Sequence, residues 1–219
     1  MKPLIFINFK HYENATGRNA ELLLNEFRKI KDQKNIYYCL GPGDLRLSLE
    51  FPDLNIYSQH VDYNGYGPYT GSISMNFLKS INVNGSLLNH SEKRLEIDDI
   101  RKTIEYSKSH DFKLVVCAEN IDEIKSISKL RPDYIAYEPR ELIGGDISVS
   151  NAKPDIIRSA SVICSGNDVK LLVGAGIKTE NDIKASINLG ASGVLIASGV
   201  IKDPKPINKL ISLTGNITG

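Results

Sequence analysis

The 219-residue chain has no excess of charge of either sign: 27 Lys and Arg face 26 Asp and Glu, a formal net charge of +1. Such a balance gives no electrostatic reason to expect a nucleic acid or an anionic membrane surface as partner. Cysteine is scarce as well. Cys39, Cys117 and Cys164 are odd in number and far apart, and the first two lie inside apolar runs. Buried, reduced thiols in a cytoplasmic protein are therefore expected, with a catalytic cysteine as the minor alternative. No apolar run approaches the roughly 20 residues needed to cross a bilayer. The opening "MKPLIFINFKHY" carries a lysine and an apolar stretch that stops at Asn8. That stretch is shorter than the roughly 7–15 residues of a signal peptide's apolar region, so it reads as the first strand of a soluble enzyme. Linkers, charge blocks and low-complexity tracts are also missing, and residues 1–219 are expected to form one domain.

What is present is a repeated beat. Short apolar runs occur at Leu4 to Ile7, Ile36 to Leu40, Ile56 to Ser58, Ser86 to Leu88, Lys113 to Cys117, Tyr134 to Tyr137, Leu171 to Val173 and Val194 to Ala197. They are continuous rather than alternating, as strands buried on both faces must be. Helical spacing fills the gaps. Ala20, Leu23, Leu24, Phe27 and Ile30 share one face, as do Ile97, Ile100 and Ile104, and Ile121, Ile124 and Ile127. Thr179 with Asp182 ahead of Ile183 reads as a helix N-cap. Eight strand-then-helix units imply parallel strands joined by right-handed crossovers. The first expectation is a closed α/β barrel, (β/α)8, and the second is an open doubly wound sheet.

In such a barrel, functional groups belong where strands end and loops begin. The first run ends in Asn8-Phe9-Lys10, either a polar strand end or a fixed cation with a hydrogen-bonding amide for an anionic substrate. The fourth ends in "LLNHSEKR", where Ser91 is expected to open a helical turn. A His90 set against a helix N-terminus would be kept neutral and could donate an N–H to a carbonyl. The sixth ends in Glu138 between Tyr137 and Pro139. Desolvation there would raise its pKa toward the range of a general base, while a capped or ion-paired carboxylate is the alternative. The seventh and eighth end in "VGAGIKTEND" and "LIASGVIK", where Gly174, Gly176 and Gly199 permit close approach of backbone N–H groups to a phosphate. A cation, a neutral electrophile, a carboxylate and a phosphate cradle at one face suit proton abstraction beside a carbonyl in a small phosphorylated substrate.

The motifs "NFK" at 8–10, "YTG" at 69–71, "NHSEKR" at 89–94, "YEPRELIGG" at 137–145, "GAGI" at 174–177 and "VLIASGV" at 194–200 resemble the triosephosphate isomerase family in its short archaeal form. The resemblance runs essentially end to end. It implies a single TIM barrel with short helices and the reversible conversion of dihydroxyacetone phosphate to D-glyceraldehyde 3-phosphate, with no metal or organic cofactor. The family is itself a worked case of pKa tuning and lid closure, so the roles that follow are inherited from it. By resemblance Glu138 moves the proton between carbons, and neutral His90 polarises the carbonyl and shuttles protons between the enediolate oxygens. Lys10 supplies positive charge, Asn8 binds a substrate oxygen, and Glu92 stays in support. Ile143 and Gly144 form the tip of a lid that shields the enediolate phosphate from water. Gly174, Gly176, Ala197 and Ser198 complete the phosphate site.

Arg140 and Gly145-Asp146 depart from the family's usual lid, and Asp146 is expected to face solvent. The resemblance also implies a homotetramer, with a dimer as alternative. The loop "DYNGYGPYTG" would dock on a neighbouring subunit through Tyr63, Tyr66 and Tyr69. Two rivals remain at this stage. Another phosphate-binding barrel, acting on a sugar or indole phosphate, would explain the glycines but not His90 with Glu138. A catalytically dead assembly protein should have lost one of Asn8, Lys10, His90 and Glu138.

Overall fold

The computed structural model describes residues 2–139, 142, 150 and 153–214. Eight parallel strands close into a barrel in sequence order: β1 (Leu4–Asn8), β2 (Ile36–Leu40), β3 (Asn55–Ser58), β4 (Gly85–Leu88), β5 (Lys113–Ala118), β6 (Tyr134–Tyr137), β7 (Lys170–Val173) and β8 (Gly193–Ile196). Closure is made by β1 against β8, with Ile5 opposite Val194 and Ile7 opposite Ile196. The closed barrel, rather than the open sheet, is the architecture.

The connections carry α1 (Arg18–Phe27), α2 (Met75–Ser80), α3 (Ile97–Ser109), α4 (Ile121–Ser128), α5 (Pro154–Ser165), α6 (Glu180–Asn188), α7 (Ser198–Ile201) and α8 (Pro206–Thr214). Helical spacing extended the first helix to Ile30, but α1 stops at Phe27 and the chain continues in turns, Ile30 N–H donating to the Phe27 carbonyl at 3.0 Å. After β2 the crossover is only a 3-10 helix, Pro42–Leu49. The N-cap at Thr179 is realised as a capping box: Thr179 Oγ1 accepts from Asp182 N–H at 3.2 Å, and Asp182 Oδ2 accepts from Thr179 N–H at 2.8 Å.

Two cores follow from the two-residue period of the strands. Ile5, Ile7, Ile36, Tyr38, Leu40, Ile135, Tyr137 and Val173 pack outward in the layer beneath the helices. Phe6, Cys39, Tyr57, Leu87, Val115, Cys117, Ala136, Leu172 and Leu195 fill the barrel itself. Aromatic rings occupy much of the interior: Phe6 stacks on Tyr37 with centroids 4.4 Å apart and meets Tyr57 and Tyr134 edge-on at 5.6 and 5.4 Å. The interior is thus packed solid, and any substrate must bind above it, at the strands' C-terminal ends. All three cysteines are buried free thiols. Burial pushes the Cys39 and Cys117 thiols upward, so neither is poised as a nucleophile.

Candidate active site

The inward phase of each strand decides which terminal residue reaches the barrel mouth. Phe6 faces the barrel, so Asn8, two residues on, comes next on the same face. By the same count Glu138 follows Ala136, and Gly174 follows Leu172. These layers bring Asn8, Lys10, His90, Glu138, Gly174, Gly176, Ala197, Ser198 and Gly199 to one pocket. A further cleft outside the barrel, beside the N-terminal ends of β1 and β2 and lined by Lys2, Lys29, Lys31, Asp32 and Ile30 among others, has no imidazole in its lining. Ile143 and Gly144, the expected lid tip, lie outside the described residues, as do Arg140, Gly145 and Asp146.

Lys10 is held in a left-handed conformation, φ +50°, which disfavours a residue with a Cβ. Its backbone is secured on both sides: Lys10 N–H donates to Asn8 Oδ1 at 3.0 Å, and Gln59 Nε2 donates to the Lys10 carbonyl at 3.0 Å. Its ammonium contacts Glu92 Oε1 at 2.7 Å. Burial alone would raise the Glu92 carboxyl, but the hydrogen bond and charge of Lys10, with His90 and His11, outweigh it and hold the pKa down. Glu92 therefore stays anionic beside the ammonium.

The helical turn expected after β4 is present and short. Residues after His90 make a single turn, closed by Lys93 N–H to the His90 carbonyl at 2.8 Å, and α3 begins only at Ile97. The backbone N–H of Glu92 donates to His90 Nδ1 at 3.2 Å. Nδ1 must then carry a lone pair, which puts the single proton of a neutral ring on Nε2. Nε2 faces the carboxylate, 3.6 Å from Glu138 Oε2.

Glu138 is 4% exposed. Among the described residues its Oε2 has no hydrogen-bond partner. Burial raises its pKa above the usual carboxylate value, opposed by His90, by a hydrogen bond with Cys117 and by Lys10. A buried carboxylate oxygen without a partner is costly to keep, and costs of this kind concentrate where chemistry is done. Gly174 makes room for it: a Cβ at 174 would lie 2.5 Å from Glu138 Cγ and 2.9 Å from Cδ and Oε1.

The phosphate side is built where the β7 and β8 loops touch. A Cβ on Gly199 would sit 2.5 Å from the Ile177 carbonyl oxygen, so the two loops meet there only because that residue has none. Ala197 leaves the strand at φ −125° and ψ −92°, and α7 starts at Ser198. Tyr12, Lys178, Leu195 and Ile196 also line the pocket and were not anticipated. Tyr12 and Lys178 could have been found as polar residues one or two positions past the motifs. Leu195 and Ile196 look like any strand residues, and no signal marks them.

The arrangement can take a proton from carbon with a desolvated carboxylate while a neutral N–H and an ammonium stabilise the oxyanion that develops. Comparison with known proteins agrees. The family model described as triosephosphate isomerase matches residues 3–214. A triosephosphate isomerase of Thermoplasma volcanium is 43% identical over 211 residues, covering 95% of this chain and 98% of that protein. That of Methanothermus fervidus is 38% identical, covering 93% of this chain and 95% of its own. That of Methanocaldococcus jannaschii is 39% identical, with 91% and 93% covered.

Proposed function

Because the chain belongs to the triosephosphate isomerase family, we propose a division of labour among its residues for the reversible isomerisation of dihydroxyacetone phosphate and D-glyceraldehyde 3-phosphate. The chain is an aldose–ketose isomerase of central sugar metabolism. Glu138 is the base: its Oε2, which has no hydrogen-bond partner among the described residues, takes a proton from the hydroxymethyl carbon beside the carbonyl and delivers it to the former carbonyl carbon. His90 donates from Nε2 to the carbonyl oxygen and moves protons between the two oxygens of the enediolate. Lys10 stabilises the negative charge, and Asn8 binds a substrate oxygen while anchoring the Lys10 turn. Gly176, Ala197 and Ser198 receive the phosphate through backbone N–H groups, where a dianion is favoured, whereas the Gly174 N–H is already given to the Tyr137 carbonyl at 3.0 Å and Gly174 serves the site by leaving room. Ile143 and Gly144, outside the described residues, are assigned to the phosphate by the family's motif alone. No metal or organic cofactor enters the scheme.

The observation that carries this reading is the pairing of a buried carboxylate oxygen, without a hydrogen-bond partner among the described residues, and an imidazole whose other nitrogen is already occupied, 3.6 Å apart. A coupled assay with pure protein and dihydroxyacetone phosphate tests it: turnover lost in Glu138→Gln supports the assignment, and unimpaired turnover in that variant removes Glu138 from the role of base.

We also read residues 1–219 as one catalytic domain working as a homotetramer in the cytoplasm. Three buried free thiols suit a reducing compartment. Tyr63, Tyr66 and Tyr69 stand exposed, Tyr66 at 74%, which suits burial against a second subunit. Sedimentation velocity decides between tetramer and dimer. No helix among the described residues is long and apolar enough to cross a membrane.

A further inference from the structure

Asn89 sits immediately before His90, is 1% exposed and has a left-handed backbone, φ +57°. Apart from glycine, asparagine is among the residues that best tolerate that conformation. Its side chain spans two other elements. Nδ2 donates to the Cys117 carbonyl of β5 at 2.9 Å, and Oδ1 accepts from Leu95 N–H at 2.9 Å. Its own carbonyl accepts from Arg94 Nη1 at 3.3 Å. Arg94 is fixed in turn by Glu123 at 2.5 Å and Glu119 at 3.7 Å. One residue therefore ties the end of β4 to β5, to the segment leading into α3 and to a charged cluster on α4.

From this juxtaposition we infer that Asn89 is a positioning residue for His90, aiming the imidazole at Glu138 through its left-handed backbone and its two amide bonds. The left-handed residue reverses the chain at the barrel mouth. The amide bonds then fix how far the turn can rock, because one runs to Cys117 on β5 and the other to Leu95 on the segment leading into α3. Rocking would move Nε2 from its place 3.6 Å from Glu138 Oε2 and strain the Glu92 N–H bond that sets the tautomer. The inference rests on the isomerase reading for its kinetic consequence, but its structural content is independent of turnover.

Asn89→Gly separates the two contributions, since glycine keeps the left-handed backbone and deletes both amide bonds. A displacement on the order of 1 Å at a reacting group costs roughly 100-fold. The expected result is a kcat lowered by about 30- to 100-fold with KM within about threefold. The second readout is the ¹⁵N spectrum of the ligand-free protein labelled at its 4 histidines, with His90 assigned by comparison with His90→Gln. Wild-type His90 should show an unprotonated Nδ1 and a protonated Nε2, and Asn89→Gly a mixture of tautomers. A wild-type kcat, or wild-type His90 signals whatever happens to kcat or to the melting temperature, overturns the inference. Should Asn89→Gly fail to fold, Asn89→Asp retains the acceptor for Leu95 and loses the donor to Cys117, and the same criteria apply to it. If the wild-type protein does not turn over the triose phosphate, the isomerase reading fails, while the imidazole spectra still decide the role of Asn89.

Discussion

Gly174→Ala puts the geometry of the base under direct test. An alanine Cβ would lie 2.5 Å from Glu138 Cγ, and ordinary carbon–carbon contact is roughly 3.5 Å, so one of the two must give way by about 1 Å. Gly174 follows β7, in register with β6 and β8 on either side, and its N–H donates to the Tyr137 carbonyl at 3.0 Å. The side chain of Glu138 is therefore what moves. Its Cγ is close to the backbone, so the displacement carries through to the carboxylate instead of being absorbed at a flexible tip. A misplacement of about 1 Å costs on the order of 100-fold, or roughly 2.7 kcal/mol at about 1.36 kcal/mol per decade. The loss should fall on kcat, with KM changed less than about threefold, because the phosphate contacts lie on other residues. Overpacking should also cost about 1–3 kcal/mol of stability. Steady-state kinetics with dihydroxyacetone phosphate, alongside a thermal melt, provide both numbers. A Gly174→Ala enzyme with kcat within threefold of wild type would refute the claim that Gly174 exists to seat the base.

The raised pKa of Glu138 makes the base a stability liability. Between the unfolded-state pKa and the higher folded value the native state binds the extra proton, so stability falls as pH rises through that window. Glu138→Gln should therefore melt higher than wild type above the window, by about 1–3 kcal/mol or roughly 2–10 °C, and show no advantage near pH 4. Equal melting at all pH values would deny that the carboxylate is buried at a cost. Gly85→Ala would place a Cβ 2.3 Å from the Tyr57 ring inside the barrel, so it should lower stability by about 1–3 kcal/mol. Its kcat should stay near wild type, because the clash lies below the site. Cys39 and Cys117 should resist thiol reagents in the native protein and react only as fast as it opens. Rapid native labelling of either would contradict the packed interior.

Much of this protein is written locally. Runs such as Leu4 to Ile7 and Lys113 to Cys117, apolar on both faces, can only be strands covered on both sides. Eight of them alternating with helical spacing leave a closed barrel or an open doubly wound sheet, and the pairing of β1 with β8 decides for the barrel. Strand boundaries differ by a residue or so, as where β8 begins at Gly193 and Ala197 lies beyond it. Glu138, His90, Lys10 and Asn8 drew notice as polar residues at the ends of apolar strands and through the motifs around them, and the structure brings them to one pocket.

The same continuity hid the rest. When both faces of a strand are apolar, sequence does not say which face looks into the barrel. Only closure of the barrel sets that phase, and with it the fact that Gly174 faces Glu138 while Val173 faces the helices. The turn beside His90 is legible, but not the bond that occupies its Nδ1. That Glu92 N–H depends on the conformation of a single turn, in which Asn89 is left-handed and bonded to β5. Composition and periodicity determine eight strand-then-helix units and which strand ends present polar groups. Distances of a few ångströms between residues far apart in the chain decide how that chemistry is poised, because those contacts come into being only when the barrel closes.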